Sequence, residues 1–302
     1  MIDLHTHSTA SDGSFSPSAL VAEAEKRGIS VLALTDHDTT GGLEEAEKAA
    51  LELGIRFIPG IELEIAWNQE TAASNAGARN AGREFHLLGL GISRPTPEFR
   101  AAVEELARRR EDRNHEMVDM MNKAGITASY DDVKACASGP KNRGQSIGRL
   151  HFAGFLVKRK IVKNHEQAFI RYLGRGKPFF IPKASLEFEQ AAELIRKSGG
   201  IAVLAHPMTL YTAWGRLPDL IKKLKERGLD GLEAWHPNAK VSYCQRLEEL
   251  GKKLGLYLTA GSDFHGEARP DRKLGITAGG RKIEVSFLEG IPGLYSPTES
   301  MS

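Results

Sequence analysis

Short apolar runs that end in histidines and carboxylates constrain this chain more than any other feature. Ile2-Asp3-Leu4 leads into His5-Thr6-His7, Val31–Leu34 into Thr35-Asp36-His37-Asp38, and Ile55–Ile58 into Pro59-Gly60-Ile61-Glu62. The pattern returns with His86 in Phe85-His86-Leu87-Leu88-Gly89, His206 after Ala202–Ala205, and His236 after Leu232-Glu233-Ala234-Trp235. It closes with Gly261-Ser262-Asp263-Phe264-His265. Each run is strand-sized, and helical segments alternate with them. Pro17–Arg27 has Ser16 as its N-cap and Gly28 as its stop, and Leu43–Leu53 stops at Gly54. Such alternation predicts a parallel sheet covered by helices.

The rhythm changes between Pro97 and Pro182. Helical patterns over Glu98–Ala124, Gln145–Lys158 and His165–Leu173 follow one another with little strand signal, which predicts an all-helical insert. The earlier alternation resumes with a helix at Glu187–Lys197, a strand at Ile201–Ala205 and a helix at Leu217–Arg227. A strand at Gly231–Ala234, a helix at Ser242–Leu254 and a strand at Leu256–Ala260 follow. Both halves together give about seven parallel strands, enough to close an α/β barrel of TIM-like (β/α)7 type from which the insert projects. The expected boundaries are 1–96 and 183–292 for the two barrel parts, 97–182 for the insert and 293–302 for a frayed tail. Glu70–Glu84, rich in Ala, Gly, Asn and Ser, reads as a loose hairpin loop between strands near Leu63 and Phe85.

Hydrophobic residues at 41% and charged residues at 26% exclude a disordered chain, and no repeat suggests a fibre. The longest apolar runs fall far short of a membrane span. With no signal-like N-terminus and only Cys136 and Cys244, the expected setting is a reducing cytoplasm, with no obligate protein partner. The net charge of +2 conceals an asymmetry. Lys134–Lys183 holds twelve Lys and Arg against the single acid Glu166, so the rest of the chain is net acidic. A basic block inside an acidic chain predicts a site for an anionic ligand.

In a parallel barrel the carboxyl ends of the strands share one rim, where active sites are built. Seven of the ten histidines would converge there beside Glu62 and Asp263. In extended chain, residues two apart point to the same side, so His5 and His7 can reach one ion, as can Asp263 and His265. Imidazole with carboxylate suits Zn²⁺, Mn²⁺ or Fe²⁺. Crowded together without a cation, these groups would be left unsatisfied. His115 and His165, on helical patterns, read as structural, and Met117, Met120 and Met121 as core.

Asp3-Leu4-His5-Thr6-His7-Ser8, Asp12-Gly13, Thr35-Asp36-His37-Asp38, Gly60-Ile61-Glu62, Ala205-His206-Pro207 and Ser262-Asp263-Phe264-His265 resemble the PHP (polymerase and histidinol phosphatase) superfamily. The resemblance implies a distorted (β/α)7 barrel carrying two or three divalent ions, manganese first, with zinc or iron(II) as alternatives. It would place His5, His7, Glu62 and Asp263 on one ion. Glu62 would bridge to a second held by His86 and His206, and Asp12, His37 and His265 would hold a third. The helical insert, with Arg149-Leu150-His151-Phe152-Ala153 and Gly176-Lys177-Pro178, resembles that of stand-alone bacterial members of the ribonuclease AM type. Such enzymes remove the 3′-phosphate of nucleoside 3′,5′-bisphosphates and act 5′→3′ on short 5′-phosphorylated RNA. Histidinol phosphate or another small metabolite is the alternative substrate.

The expected chemistry is attack on phosphorus by a metal-bridging hydroxide with no covalent phosphoenzyme. Asp36 is the candidate orienter or proton acceptor. Arg149 is the candidate bidentate phosphate clamp. His151, Lys177 and His236 are candidates to grip a second phosphate or protonate the leaving oxygen. Ser8, with no histidine free to act as its base, reads as a substrate contact rather than a nucleophile.

Overall fold

A computed structural model describes residues 1–66, 85–137 and 147–294. The strands β1 (Ile2–Asp3), β2 (Val31–Leu34), β3 (Arg56–Glu64), β4 (His86–Leu90), β5 (Ile201–Leu204), β6 (Gly231–Trp235) and β7 (Tyr257–Ala260) form one sheet in sequence order. The sheet curls until its ends meet. Thr6 bridges Phe264 in parallel, and the His7 amide donates to the Phe264 carbonyl at 2.9 Å. Buried Asp3 stitches the same seam, accepting from the Ser262 amide at 3.0 Å, the Ser262 hydroxyl at 2.5 Å and the Gly275 amide at 2.7 Å. The result is a nearly closed barrel.

Six of the strands run as expected, but β4 is antiparallel to both neighbours, with Glu62 opposite Leu88 and Leu88 opposite Val203. This corrects the expectation of seven parallel strands. A parallel return needs a crossover element, whereas an antiparallel neighbour does not. The loop expected at Glu70–Glu84 itself lies outside the described residues. The reversal matters for the site: β4 enters the sheet where the parallel strands leave it, so His86, its first residue, lies on their carboxyl rim. β3 also runs further than expected, placing Glu62 within the strand rather than after it.

Helices α1 (Pro17–Lys26) and α2 (Leu43–Leu53) cover the first half of the barrel. Ser16 caps α1 by accepting the Ala19 amide at 3.2 Å, and Leu20, Val21 and Ala24 pack on Leu32 and Leu34. A 27-residue helix, α3 (Pro97–Lys123), then leaves the barrel. Its first half buries Phe99 and Leu106 in the barrel core. Its second half sends Met117, Val118 and Met121 into a separate apolar cluster with Phe152, Phe155, Leu156, Leu173 and Phe179. Helix α4 (Tyr130–Ala137), absent from the sequence expectation, packs on α5 (Arg149–Lys158) in that cluster. Gln145, the expected start of α5, lies outside the described residues. Helix α6 (His165–Ala168) continues into a π-helical turn, Phe169–Leu173.

The chain returns to the barrel through α7 (Phe188–Lys197), α8 (Leu217–Glu226) and α9 (Val241–Leu254). Leu294 is buried in the barrel core, so the chain stays packed beyond Pro292, and the rest of the expected tail lies outside the described residues. Among the described residues no helix is long and apolar enough to cross a membrane.

Candidate metal centre

Strand geometry gathers the nine candidate ligands at one rim. Glu62 is registered beside the chain leaving β2: its amide donates to the Asp36 carbonyl at 3.2 Å and its carbonyl accepts from the Asp38 amide at 2.9 Å. That pairing sets its carboxylate at the centre. Its Oε2 lies 3.3 Å from both His5 Nε2 and His7 Nε2. Asp263 Oδ1 stands 3.5 Å from His5 Nε2 and 3.2 Å from His7 Nε2. One donor atom from each of these four residues lies within 4.8 Å of every other.

The other Glu62 oxygen, Oε1, is 2.8 Å from His86 Nδ1 and 2.8 Å from His206 Nε2. His37 approaches Glu62 Oε2 to 3.1 Å and forms a second possible ligand group with Glu62 and His86. A third group joins Asp12, His37, His265 and His7, with Asp12 Oδ1 3.2 Å from His265 Nε2. Glu62, His7 and His37 each belong to two of the three groups.

Among the described residues, four buried donor atoms at this rim, His5 Nε2, His7 Nδ1, His7 Nε2 and Glu62 Oε2, have no hydrogen-bond partner. Groups that are paired almost everywhere else in folded proteins are here left facing one another. Divalent cations would complete them, and the nitrogen and oxygen donor set suits first-row ions. Burial by itself would raise the Glu62 carboxyl, but His37, His86 and His5 hold it well below the usual carboxylate range. Asp263 is likewise raised by burial and brought well below its ordinary value by His5 and His265. The rim therefore carries ionised carboxylates in a desolvated setting, as a cation site requires.

Other candidates take different places. Asp36 orients no histidine; the Ser8 amide (2.8 Å), Ser8 hydroxyl (2.6 Å) and Ser11 hydroxyl (2.5 Å) occupy its oxygens. Ser8 is buried behind the rim in that contact. His236 is also buried: its Nδ1 accepts the Asn238 amide at 3.2 Å, so Nε2 is the nitrogen that donates to Asp263 Oδ2 at 3.1 Å. It supports Asp263, as Arg272 does by donating to the same oxygen. Lys177 is exposed and stands outside the cavity lining.

The rim opens into a cavity of about 560 Å³, closed on the far side by the insert. Arg149 and His151 line it, as do Arg110, Arg113 and Lys183, which sequence reasoning missed. Arg149 lies over the Phe180 ring, 5.3 Å from its centroid. Arg110 donates to Asp38 Oδ2 at 2.7 Å and Lys183 to Glu64 Oε2 at 3.0 Å. Arg113 is different. It is 6% exposed, its Nη2 reaches only the neutral Asn114 amide oxygen at 3.1 Å, and its Nε has no partner. Burial and the adjacent Arg149 and Arg110 push its guanidinium down to about 10, against the pull of Glu64 and Asp38. A further missed residue is Glu233, whose Oε1 accepts from His5 Nδ1 at 2.9 Å. An acid in the middle of apolar β6 was its signal in the sequence.

Comparison with known proteins fits this geometry. The PHP domain model matches residues 3–173. The chain is 39% identical over 263 residues to a 5′-3′ exoribonuclease of Haemophilus influenzae, covering 87% of this chain and 89% of that one. It is 33% identical to a 3′,5′-nucleoside bisphosphate phosphatase of Chromobacterium violaceum, with 91% of each covered. A solved structure from Bifidobacterium adolescentis, classed as a metal-dependent phosphoesterase, superposes with a TM-score of 0.76 at 25% identity, over 94% of this chain and 93% of that one. With the ligand motifs of both barrel halves at one rim and relatives aligned over nearly its whole length, the chain belongs to the PHP domain family.

Proposed function

We propose that this protein is a metal-dependent phosphoesterase that removes the 3′-phosphate of nucleoside 3′,5′-bisphosphates and trims short 5′-phosphorylated RNA from its 5′ end. One observation carries the reading: among the described residues, a single cavity has unsatisfied metal donors on one wall and a buried arginine that makes no ion pair on the other. A ligand with two phosphates answers both. The two relatives compared above, an exoribonuclease and a bisphosphate phosphatase, support this substrate class.

His5, His7, Glu62 and Asp263 would hold one ion, Glu62, His86 and His206 a second, and Asp12, His37 and His265 a third. Bound divalent ions, with manganese(II) preferred over zinc(II) or iron(II), supply Lewis acidity that neutralises a phosphoryl group and acidifies water. Arg149, braced on Phe180, offers its fork to a phosphate, and Arg113 adds a buried positive charge that no direct ion pair ties down. His151 accepts the Gly148 amide at Nδ1 (2.9 Å), which leaves Nε2 as its proton-bearing nitrogen for the leaving oxygen. Ser8 is no nucleophile, since its hydroxyl is bound to Asp36. Residues 97–182 act as a substrate cap. Free Cys136 and Cys244 accord with a reducing cytoplasm.

The test is phosphate release from manganese-loaded protein. Adenosine 3′,5′-bisphosphate should yield phosphate and adenosine 5′-phosphate, and a 5′-phosphorylated oligoribonucleotide should shorten from its 5′ end. Release from histidinol phosphate alone would overturn the proposal.

A further inference from the structure

The candidate ligands arrive on separate strands, and Glu233 stands where two of them meet. It lies in β6 between apolar neighbours and is completely buried. Each of its oxygens serves a different ligand residue. Oε1 lies 2.9 Å from His5 Nδ1, and Oε2 accepts the backbone amide of His206 at 2.6 Å. A carboxylate can only accept, so His5 carries a proton on Nδ1, and the lone pair of Nε2, 3.3 Å from Glu62 Oε2 and 3.5 Å from Asp263 Oδ1, is left for a cation held among them.

The second contact holds a strained backbone. His206 has φ 26° and ψ 66°, outside the regions that side-chain-bearing residues ordinarily occupy, and Pro207 follows it. In that conformation its Nε2 meets Glu62 Oε1 at 2.8 Å. The fold also leaves room for the arrangement. A Cβ on Gly261 would lie 2.2 Å from His5 Cβ and 2.7 Å from Glu233 Oε1, so only glycine lets the pair close.

We infer that Glu233 is a positioning residue for the metal cluster, fixing the His5 tautomer and the His206 backbone so that donors for two ions are preset. The inference rests on the metal reading above. Glu233→Gln keeps the shape but turns one acceptor into a donor. An amide nitrogen facing His5 forces the proton onto Nε2, the ligating atom, and an amide nitrogen facing His206 repels its N–H. Manganese(II) binding by equilibrium dialysis, with no substrate present, should weaken about 10–100-fold. The melting temperature of the metal-free variant should stay within roughly 4 °C of the metal-free parent.

Unchanged manganese affinity would overturn the inference. So would an affinity loss matched by a large fall in metal-free stability, because that is a structural role. A measurement that needs no variant stands beside it: in the zinc(II)-loaded parent, nitrogen NMR should show His5 protonated at Nδ1 and ligating through Nε2. Ligation through Nδ1 would also sink the idea. A parent that binds ions as described but hydrolyses no phosphate ester would leave this inference standing and remove the proposed function.

Discussion

On the barrel side of the cavity, every candidate ligand but the loop residue Asp12 hangs from a strand or the chain just leaving it, and hydrogen bonds between neighbouring strands set where it stands. On the insert side, the cations hang from α3 and α5, whose positions depend on how a second apolar cluster packs. The barrel wall is built to place donor atoms closely; several of its polar contacts are between 2.5 and 2.9 Å, and its ligand residues support one another through Asp3, Glu233 and His236. The insert wall supplies charge with looser registration. Under the proposed function, chemistry and selectivity would be divided between two parts of the chain that share α3.

Removing a ligand tests that division hardest. His5→Ala or Asp263→Asn should lower phosphate release by ~10³-fold or more, several kcal/mol of transition-state stabilisation, together with metal content. Full activity in either variant would break the comparison. The seam that rigidifies the barrel wall gives the next effect. Burial raises the Asp3 carboxyl from its ordinary 3.8 to about 6, against the opposing hydrogen bonds from Ser262, Gly275 and His5. The folded state therefore favours protonated Asp3, and this group's contribution to stability is fullest below about pH 4 and lost as pH rises to about 6. Denaturation in chelator should show the parent losing about 3 kcal/mol relative to Asp3→Asn across that window. A pH-independent difference would contradict it.

On the insert wall, Arg113→Ala and Arg149→Ala should each raise KM for a nucleoside bisphosphate roughly tenfold to a hundredfold, the worth of hydrogen bonds to a charged group, while metal content holds. Metal loss in either would show that the walls are not separable. Lys177→Ala marks the small end of the scale: exposed outside the cavity, it should change KM by less than about twofold.

These differences also explain what the sequence disclosed. Strand periodicity has a direction, so His5, His7, Glu62 and Asp263 could be brought to one rim from spacing alone, and six of seven strand directions with them. Periodicity failed where the sheet is irregular. The register shifts between Glu233 and Trp235, and His236, just past the strand end, packs against Asp263 and stands outside the cavity lining. The reversal of β4 against both β3 and β5 is what an all-parallel count overlooked. Helical arginines carry less information still. Arg108, Arg109, Arg110 and Arg113 fall within six residues of one helix, yet Arg108 and Arg109 pair with Glu105 on the surface while Arg113 is buried in the cavity lining. Only the packing of α3 against both apolar cores decides which of them turns inward.

The whole account depends on divalent ions being held between those strand ends. Anomalous diffraction from crystals soaked in manganese(II) would test this without any assay. The expected result is a peak bounded by His5, His7, Glu62 and Asp263, with a second beside His86 and His206. Peaks confined to surface carboxylates, with no density among those four residues, would contradict it.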